Sequence, residues 1–341
     1  MINYLYYSII AFVTSFCLTW ILRQYALSAN IIDTPNGRSS HTIPTPRGGG
    51  VSFVFTFLIA ELFYLFFNDA QLHITFAVFG AGLIVAVIGF MDDRGHIPAR
   101  WRLLGHFCAS LWAVFWLQGL PPLMMLWLKI DIGWLSYILC TLYLVWMLNL
   151  YNFMDGIDGL AGVELLTSCM SLALIYFLAG HFDMVFAPLI LSISVAGFLC
   201  WNFPRARIFM GDAGSGFLGI LLGIFSIQAA WIAQEFFWSW LIVMGVFIVD
   251  ATVTLLRRLI RGDKVYEAHR SHAYQFAARQ YGKHAYITIA VAAINIFWLL
   301  PIAMAVCFLS LDGLVAVVIA YFPLIALALK YRAGQQENIK I

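Results

Sequence analysis

Eleven apolar stretches account for most of this chain: 2–22, 49–67, 73–91, 103–118, 134–150, 160–180, 184–203, 213–233, 237–256, 285–309 and 313–330. Each approaches the roughly 20 residues an α-helix needs to cross a hydrocarbon core. Within such a core every backbone N–H and C=O must find its partner internally, and runs of this length meet that demand as helices. Only 11% of the residues are charged and 63% are apolar, against about 25% charged in an ordinary soluble domain. No polar stretch is long enough for a separate water-soluble unit. The sequence therefore predicts an all-α, polytopic integral membrane protein of ten or eleven transmembrane helices, forming one domain over 1–341.

Charge then orients the bundle. If loops alternate between the two sides, 18 of the 19 Lys and Arg residues fall on one side and only Lys129 on the other. Cytoplasmic loops retain Lys and Arg, so the basic side is predicted to be cytoplasmic and the N-terminus to lie outside. No cation precedes the first apolar run, the first being Arg23. That run reads as a retained helix, because a signal peptide carries its basic residues ahead of its apolar core. The six cysteines lie in or beside apolar runs without C-x-x-C spacing, which argues against thiolate metal or redox chemistry.

The basic side also gathers the polar clusters. Met91-Asp92-Asp93-Arg94 closes the third stretch; adjacent carboxylates repel, so a cation (Arg94, Arg100, Arg102 or a metal) is expected beside them. Asn149, Asn152, Asp155 and Asp158 recur every three residues before glycines break the fifth stretch, which brings neighbours onto one flank of a helix. Ionisable groups at a membrane span are costly and are functional by default. From Asn202 to Ser215, Gly211 and Gly214 flank Asp212 just before a new span. Free N–H groups at a helix start favour phosphate, and Asp212 could hold the magnesium that accompanies it. Two basic loops complete the set. One holds Arg38, His41 and Arg47 among Gly48-Gly49-Gly50; the other runs through Arg257, Arg258 and Arg261 to His269-Arg270-Ser271-His272. Arg and His beside glycine turns suit phosphate capture.

Together these motifs resemble the polyprenyl-phosphate N-acetylhexosamine-1-phosphate transferases, over roughly residues 30–285 and in that family's order. The resemblance makes Asp92 and Asp93 the family's aspartate pair. It aligns Asn152, Asp155 and Asp158 with the N-x-x-D-G-x-D-G segment, and Asp212 with the magnesium aspartate of G-D-x-G-S. It further implies that Phe209 stacks on uracil, that Asn202 lies beside the nucleoside, and that Asn152 is a second metal ligand. The catalytic set is then Asp92, Asp93, Asp155 and His272. His41, Arg47, Asp158, Asn202, Phe209, His269 and Arg270 bind substrate. The cofactor is magnesium, with manganese as the alternative. The resemblance also implies the bacterial inner membrane, and the family's topology of ten or eleven spans with a cytoplasmic site agrees with the charge partition.

What the resemblance implies chemically is transfer of a HexNAc-1-phosphate from a UDP-N-acetylhexosamine to undecaprenyl phosphate, releasing UMP. Within the family, Pro44-Thr45-Pro46-Arg47-Gly48-Gly49 and the separated His269 and His272 depart from the muramoyl-pentapeptide enzymes and favour the initiators of O-antigen and other envelope polysaccharides. Asp92 would serve as base or orienter for the lipid phosphate, with direct displacement and a covalent aspartyl-phosphate both open. The expected partners are the two substrates and the bilayer, not nucleic acid; a homodimer is compatible. A transporter of anionic solute or lipid is the opposing class. It would place ionisable residues deep within spans, where Glu61 and Asp250 are the main candidates.

Overall fold

The computed structural model describes residues 2–35, 43–67, 72–95, 97–126, 128–263 and 270–335. It is helical throughout, apart from two short antiparallel pairs. In chain order the elements are α1 (Ile2–Ser28), β1 (Ile32–Asp33), β2 (Thr45–Pro46), α2 (Val51–Phe67), α3 (Leu72–Gly95) and α4 (Ala99–Leu117). There follow β3 (Leu123–Met125), β4 (Leu128–Ile130), α5 (Leu135–Met154), α6 (Leu160–Leu178), α7 (Phe186–Asn202) and α8 (Asp212–Ile232). The last are α9 (Gln234–Val243), α10 (Gly245–Ile260), α11 (Ala273–Tyr281), α12 (His284–Ile294), α13 (Leu300–Phe308) and α14 (Gly313–Lys330). Strand β1 pairs with β2, and β3 with β4.

Eight of the described helical stretches are long and apolar enough to cross a membrane. The polytopic all-α architecture is thus as the sequence predicts. Three of the eleven apolar stretches take a different form. The stretch 237–256 is not one rod: α9 and α10 meet at 66°, where the run breaks between Met244 and Gly245. Helix α2 has 17 residues, short of a full crossing. Helix α4 begins at Ala99 and carries Arg100, Arg102 and His106 in its first turns, so its polar start belongs to the interface and not to the core. A π-helical turn, Asn295–Leu299, joins α12 to α13.

Helix α8 is the axis of the bundle. Seventeen of its residues are buried, from Ala213 to Ala230, and α3, α5 and α9 pack on it. Its buried face alternates Gly, Ala and Ser with Leu, Ile and Phe, as helix pairs in lipid require when close approach replaces the hydrophobic effect as the source of attraction. The approach is closest at its start. A Cβ added to Gly89 of α3 would lie 2.4 Å from the Ala213 nitrogen, and one added to Gly50 would lie 2.5 Å from Gly214 Cα. Neither position can carry a side chain without moving α8. The ends of α3, α5 and α7 and the starts of α4, α6 and α8 consequently meet at one face of the bundle, the face where the basic residues collect.

Candidate active site

At that face Asp212, the first residue of α8, lies between two arginines. Arg47 Nη2 is 2.5 Å from Asp212 Oδ1, and its Nε is 2.8 Å from Asp93 Oδ1. Arg102 Nη1 is 3.3 Å from Asp212 Oδ2 and also bonds Asp92 Oδ2. Each arginine therefore ties Asp212 to one member of the Asp92–Asp93 pair. Of the cations expected beside that pair, Arg102 is the one that meets Asp92; Arg94 instead bonds the Tyr25 hydroxyl at 2.8 Å. Burial disfavours the Arg47 charge, but Asp212 and Asp93 more than offset it and hold the guanidinium above its ordinary pKa.

Asp93 has a second task. Its Oδ1 accepts the Asp212 N–H at 2.9 Å and its Oδ2 the Ala213 N–H at 3.3 Å, so it caps α8 from another helix and favours its positive end. The Gly214 and Ser215 N–H groups bond the Gly211 carbonyl. This differs from the expectation that the backbone donors around Gly211 and Gly214 take a phosphate: a carboxylate from α3 already occupies the helix start. Gly211 makes the cap possible, since it adopts φ +81° and a Cβ there would lie 2.5 Å from Asp93 Oδ2. The glycine triplet is likewise engaged. Gly49 and Gly50 donate to the Phe209 and Met210 carbonyls, each at 2.8 Å, and Phe209 donates to Pro46 at 2.7 Å. These bonds lock the Arg47 loop onto the 209–211 segment.

Beside this cluster opens a cleft of ≈ 200 Å³ whose walls include Asp33, Arg47, Asn152, Asp155, Asp158 and Asp212. Asn152, on the last turn of α5, donates to Asp212 Oδ1 at 3.1 Å and to Ser215 Oγ at 2.9 Å. Burial pushes the Asp155 carboxyl up to about 7; Arg47 works against the rise, and Asp212, Asp93 and Asp158 add to it. Asp158 Oδ1 lies 3.4 Å from His284 Nδ1. Phe209 also lines the cleft. Asn202 borders it, but its amide bridges two loops, accepting from Gly159 N–H and donating to the Ile208 carbonyl, both at 2.9 Å. Its position fits a residue that holds the 156–159 and 203–211 loops together. His284 and Asp33 are cleft residues that the sequence reading missed. Neither stands in a glycine- or carboxylate-rich motif, and His284 is the last residue before a long apolar run.

His272 is placed differently from the others. It is 2% exposed, caps α11, and sets its Nδ1 3.3 Å from Asp250 Oδ1. Asp250 in turn accepts the Ala273 and Tyr274 N–H groups at 2.9 and 3.0 Å. Thus Asp250, weighed above as a transporter residue, anchors the start of α11, and His272 is part of that anchor and not of the described cleft wall. Arg270 lies just before it, its carbonyl accepting from Arg279. Among the α11 residues, Gln275 does line the cleft. His41 and His269 lie outside the described residues. Among the described residues, no three His, Cys, Asp or Glu side chains converge as a metal-ligand set.

Two comparisons bear on this arrangement. Residues 75–230, which carry the aspartate pair, the Asn152–Asp158 segment and Asp212, match the model of glycosyl transferase family 4. The chain is 32% identical over 306 residues to the decaprenyl-phosphate N-acetylglucosaminephosphotransferase of Mycolicibacterium smegmatis, covering 76% of this chain and 73% of that protein. The chain belongs to glycosyl transferase family 4, the polyprenyl-phosphate N-acetylhexosamine-1-phosphate transferases. Two further family members have similar reach. A probable undecaprenyl-phosphate N-acetylglucosaminyl 1-phosphate transferase of Bacillus subtilis is 27% identical, covering 78% of this chain and 75% of the relative. The undecaprenyl-phosphate alpha-N-acetylglucosaminyl 1-phosphate transferase of Thermotoga maritima is 25% identical, covering 88% and 90%. Membership makes the chain a phosphosugar transferase.

Proposed function

We propose that this chain transfers a HexNAc-1-phosphate from a UDP-N-acetylhexosamine to undecaprenyl phosphate, releasing UMP and initiating an envelope polysaccharide on its lipid carrier. The observation that carries the reading is Asp212 held between Arg47 and Arg102 at one wall of a cleft, with an apolar groove on the other side of α11. That groove, ≈ 450 Å³, runs between α10, α11, α12 and α14 and is lined by Val249, Ile287, Val291 and Leu324. Tyr274 lines the groove while its neighbour Gln275 lines the cleft. The Tyr274 hydroxyl donates to the Phe153 carbonyl at 3.1 Å, two residues before Asp155. A prenyl chain in the groove would therefore bring its phosphate to the acidic cleft.

In the reaction an oxygen of the lipid phosphate forms a bond to the sugar-bearing phosphorus, and the bridging oxygen leaves with UMP. Such transfers depend on positioning and charge neutralisation. Four aspartates and one arginine line the cleft, so two phosphorylated substrates cannot meet there without added positive charge. The donors fit magnesium: Asp212 offers a carboxylate and Asn152 an amide oxygen, both hard ligands. Magnesium keeps several waters and takes one or two carboxylates plus phosphate oxygens. Bound there, the ion would supply charge stabilisation to the pyrophosphate. Arg47 and Arg102 would turn part of their charge to the substrates. Asp155, with its pKa near neutral, is suited to exchange a proton with the lipid phosphate. The Asp93 side chain is 3% exposed with both oxygens engaged, the state of an anchor and not of a nucleophile. We therefore favour direct displacement. The test is UMP release by purified protein from undecaprenyl phosphate and a panel of UDP-sugars. UDP-N-acetylglucosamine is expected to lead, in keeping with the relatives' names. Failure of every UDP-amino sugar would overturn the reading.

Two expected results follow here. If Phe209 stacks on uracil, Phe209→Ala raises KM for the UDP-sugar roughly 5- to 150-fold, the weight of ~1–3 kcal/mol of base stacking. KM for undecaprenyl phosphate changes little. An unchanged UDP-sugar KM would place the nucleoside elsewhere. The charge partition supports a cleft that faces the cytoplasm. In a cysteine-less background, a membrane-impermeant thiol reagent added to intact cells should label Lys129→Cys and spare Arg279→Cys. The reverse pattern would invert the topology.

A further inference from the structure

At the opposite end of the bundle lies a second polar cavity of ≈ 300 Å³, bordered by Thr75 at the start of α3 and Gln228 near the end of α8. The other ends of these same helices carry Asp93 and Asp212, so the cavity is separated from the acidic cleft by the length of the bundle. Glu61 of α2 forms part of its wall. This side chain is 7% exposed, and its Oε1 is buried without a hydrogen-bond partner among the described residues. A carboxyl group inside a membrane bundle normally faces a named partner. Here none of the described lining residues is Lys, Arg or His. A second carboxylate, Asp183, stands exposed among the lining residues, in the loop before α7.

The remaining wall is aromatic. Tyr64 stacks on Phe186 with ring centroids 3.7 Å apart, and Phe225 lies 6.0 Å from Trp240. Trp240 Nε1 donates to the Tyr176 hydroxyl at 2.7 Å, so the indole N–H is already satisfied. Aromatic faces joined to a desolvated carboxylate attract cations, organic ammonium ions above all. A bare metal ion is a poorer match, since no three carboxylate, thiol or imidazole side chains converge among the described residues. The volume is that of a small-ligand pocket. We infer that this cavity binds a small organic ammonium group, with Glu61 as its counter-ion, Asp183 drawing it in and the aromatic pairs enclosing it. The group could arrive free or on a lipid headgroup; the recognising chemistry is the same.

The experiment uses the full-length protein in detergent, titrated calorimetrically with choline and with its uncharged isostere 3,3-dimethyl-1-butanol. Native mass spectrometry of protein exchanged into phosphatidylethanolamine or phosphatidylglycerol forms the lipid arm. Saturable choline binding is expected, with the isostere and the Glu61→Gln variant each weaker by about tenfold or more, as loss of one desolvated charge contact implies. Asp183→Asn, a change at an exposed residue, should give a smaller loss. If only phosphatidylethanolamine is retained, and Glu61→Gln releases it, the ammonium is delivered by lipid. Basal UMP release should persist in both variants, which shows that they are folded. Absence of binding in both arms, or binding indifferent to Glu61→Gln and to the isostere, overturns the assignment.

Discussion

Asp212→Asn is expected to lower kcat by a factor of about 10²–10³, the usual effect of removing one preorganised charged contact from a transfer site. The change is nearly isosteric, and the amide oxygen can still accept from Arg47, while its NH2 takes the place of the oxygen that meets Arg102 at 3.3 Å. Removing one negative charge also relieves the excess of carboxylates around the two arginines. Folding should therefore be little affected, within about 1 kcal/mol, and the melting temperature in detergent should stay close to that of the parent. Activity should fall for two reasons. The cleft loses the carboxylate that offers a hard anionic ligand at the α8 start, and the arginines lose the group that aims them. If Asp212 carries the magnesium, the residual activity should need more of the ion to reach half its maximum. Turnover near the parent value at low magnesium would move the metal away from Asp212 and remove the main support for its assigned role.

Much of this arrangement was legible in the sequence, and what was missed has identifiable physical causes. Hydropathy marks where apolar runs begin and end, so the helices and their shared basic face could be read directly. It does not register a bend inside an apolar run. The 66° break between α9 and α10 falls at Met244-Gly245 with no polar residue to announce it; Gly245 faces the Tyr321 ring, which a Cβ would meet at 2.9 Å. Motif spacing likewise finds the carboxylates but not their partners. That Asp93 caps α8, and that Arg47 lies between Asp93 and Asp212, depends on contacts between segments far apart in the chain, 119 residues for the cap and 165 for Arg47 with Asp212. The same holds for Asp250: it looked like an ionisable residue within a span, yet it holds the start of α11 through two backbone N–H groups. His272 is a further case, since a histidine beside an arginine in a basic loop suggests phosphate contact, and nothing in the motif announces that its Nδ1 lies 3.3 Å from Asp250 Oδ1.

Arg47→Ala should be damaging in a different way, affecting stability and catalysis together. Its side chain is 30% exposed, while the Asp93 side chain it meets is 3% exposed. Removing one partner of a buried pair leaves the other charge uncompensated, at a cost of about 3–5 kcal/mol when burial is complete; solvent at Arg47 should reduce this to the order of 2 kcal/mol. Asp93 would then be less able to hold its charge, and the cap on α8 should loosen with it. The position of Asp212 depends on that cap, so the variant should lose kcat by at least about 10² and also melt earlier in detergent. Arg47→Lys separates the two effects. Lysine restores the charge and much of the melting temperature, but a single ammonium cannot reproduce the fork that reaches Asp93 through Nε and Asp212 through Nη2. Activity should therefore recover far less than stability. If Arg47→Lys regains both in equal measure, charge alone suffices and the forked geometry has no catalytic role. If Arg47→Ala leaves melting unchanged, Asp93 does not need Arg47, and the link drawn here between the first loop and the start of α8 would have to be abandoned.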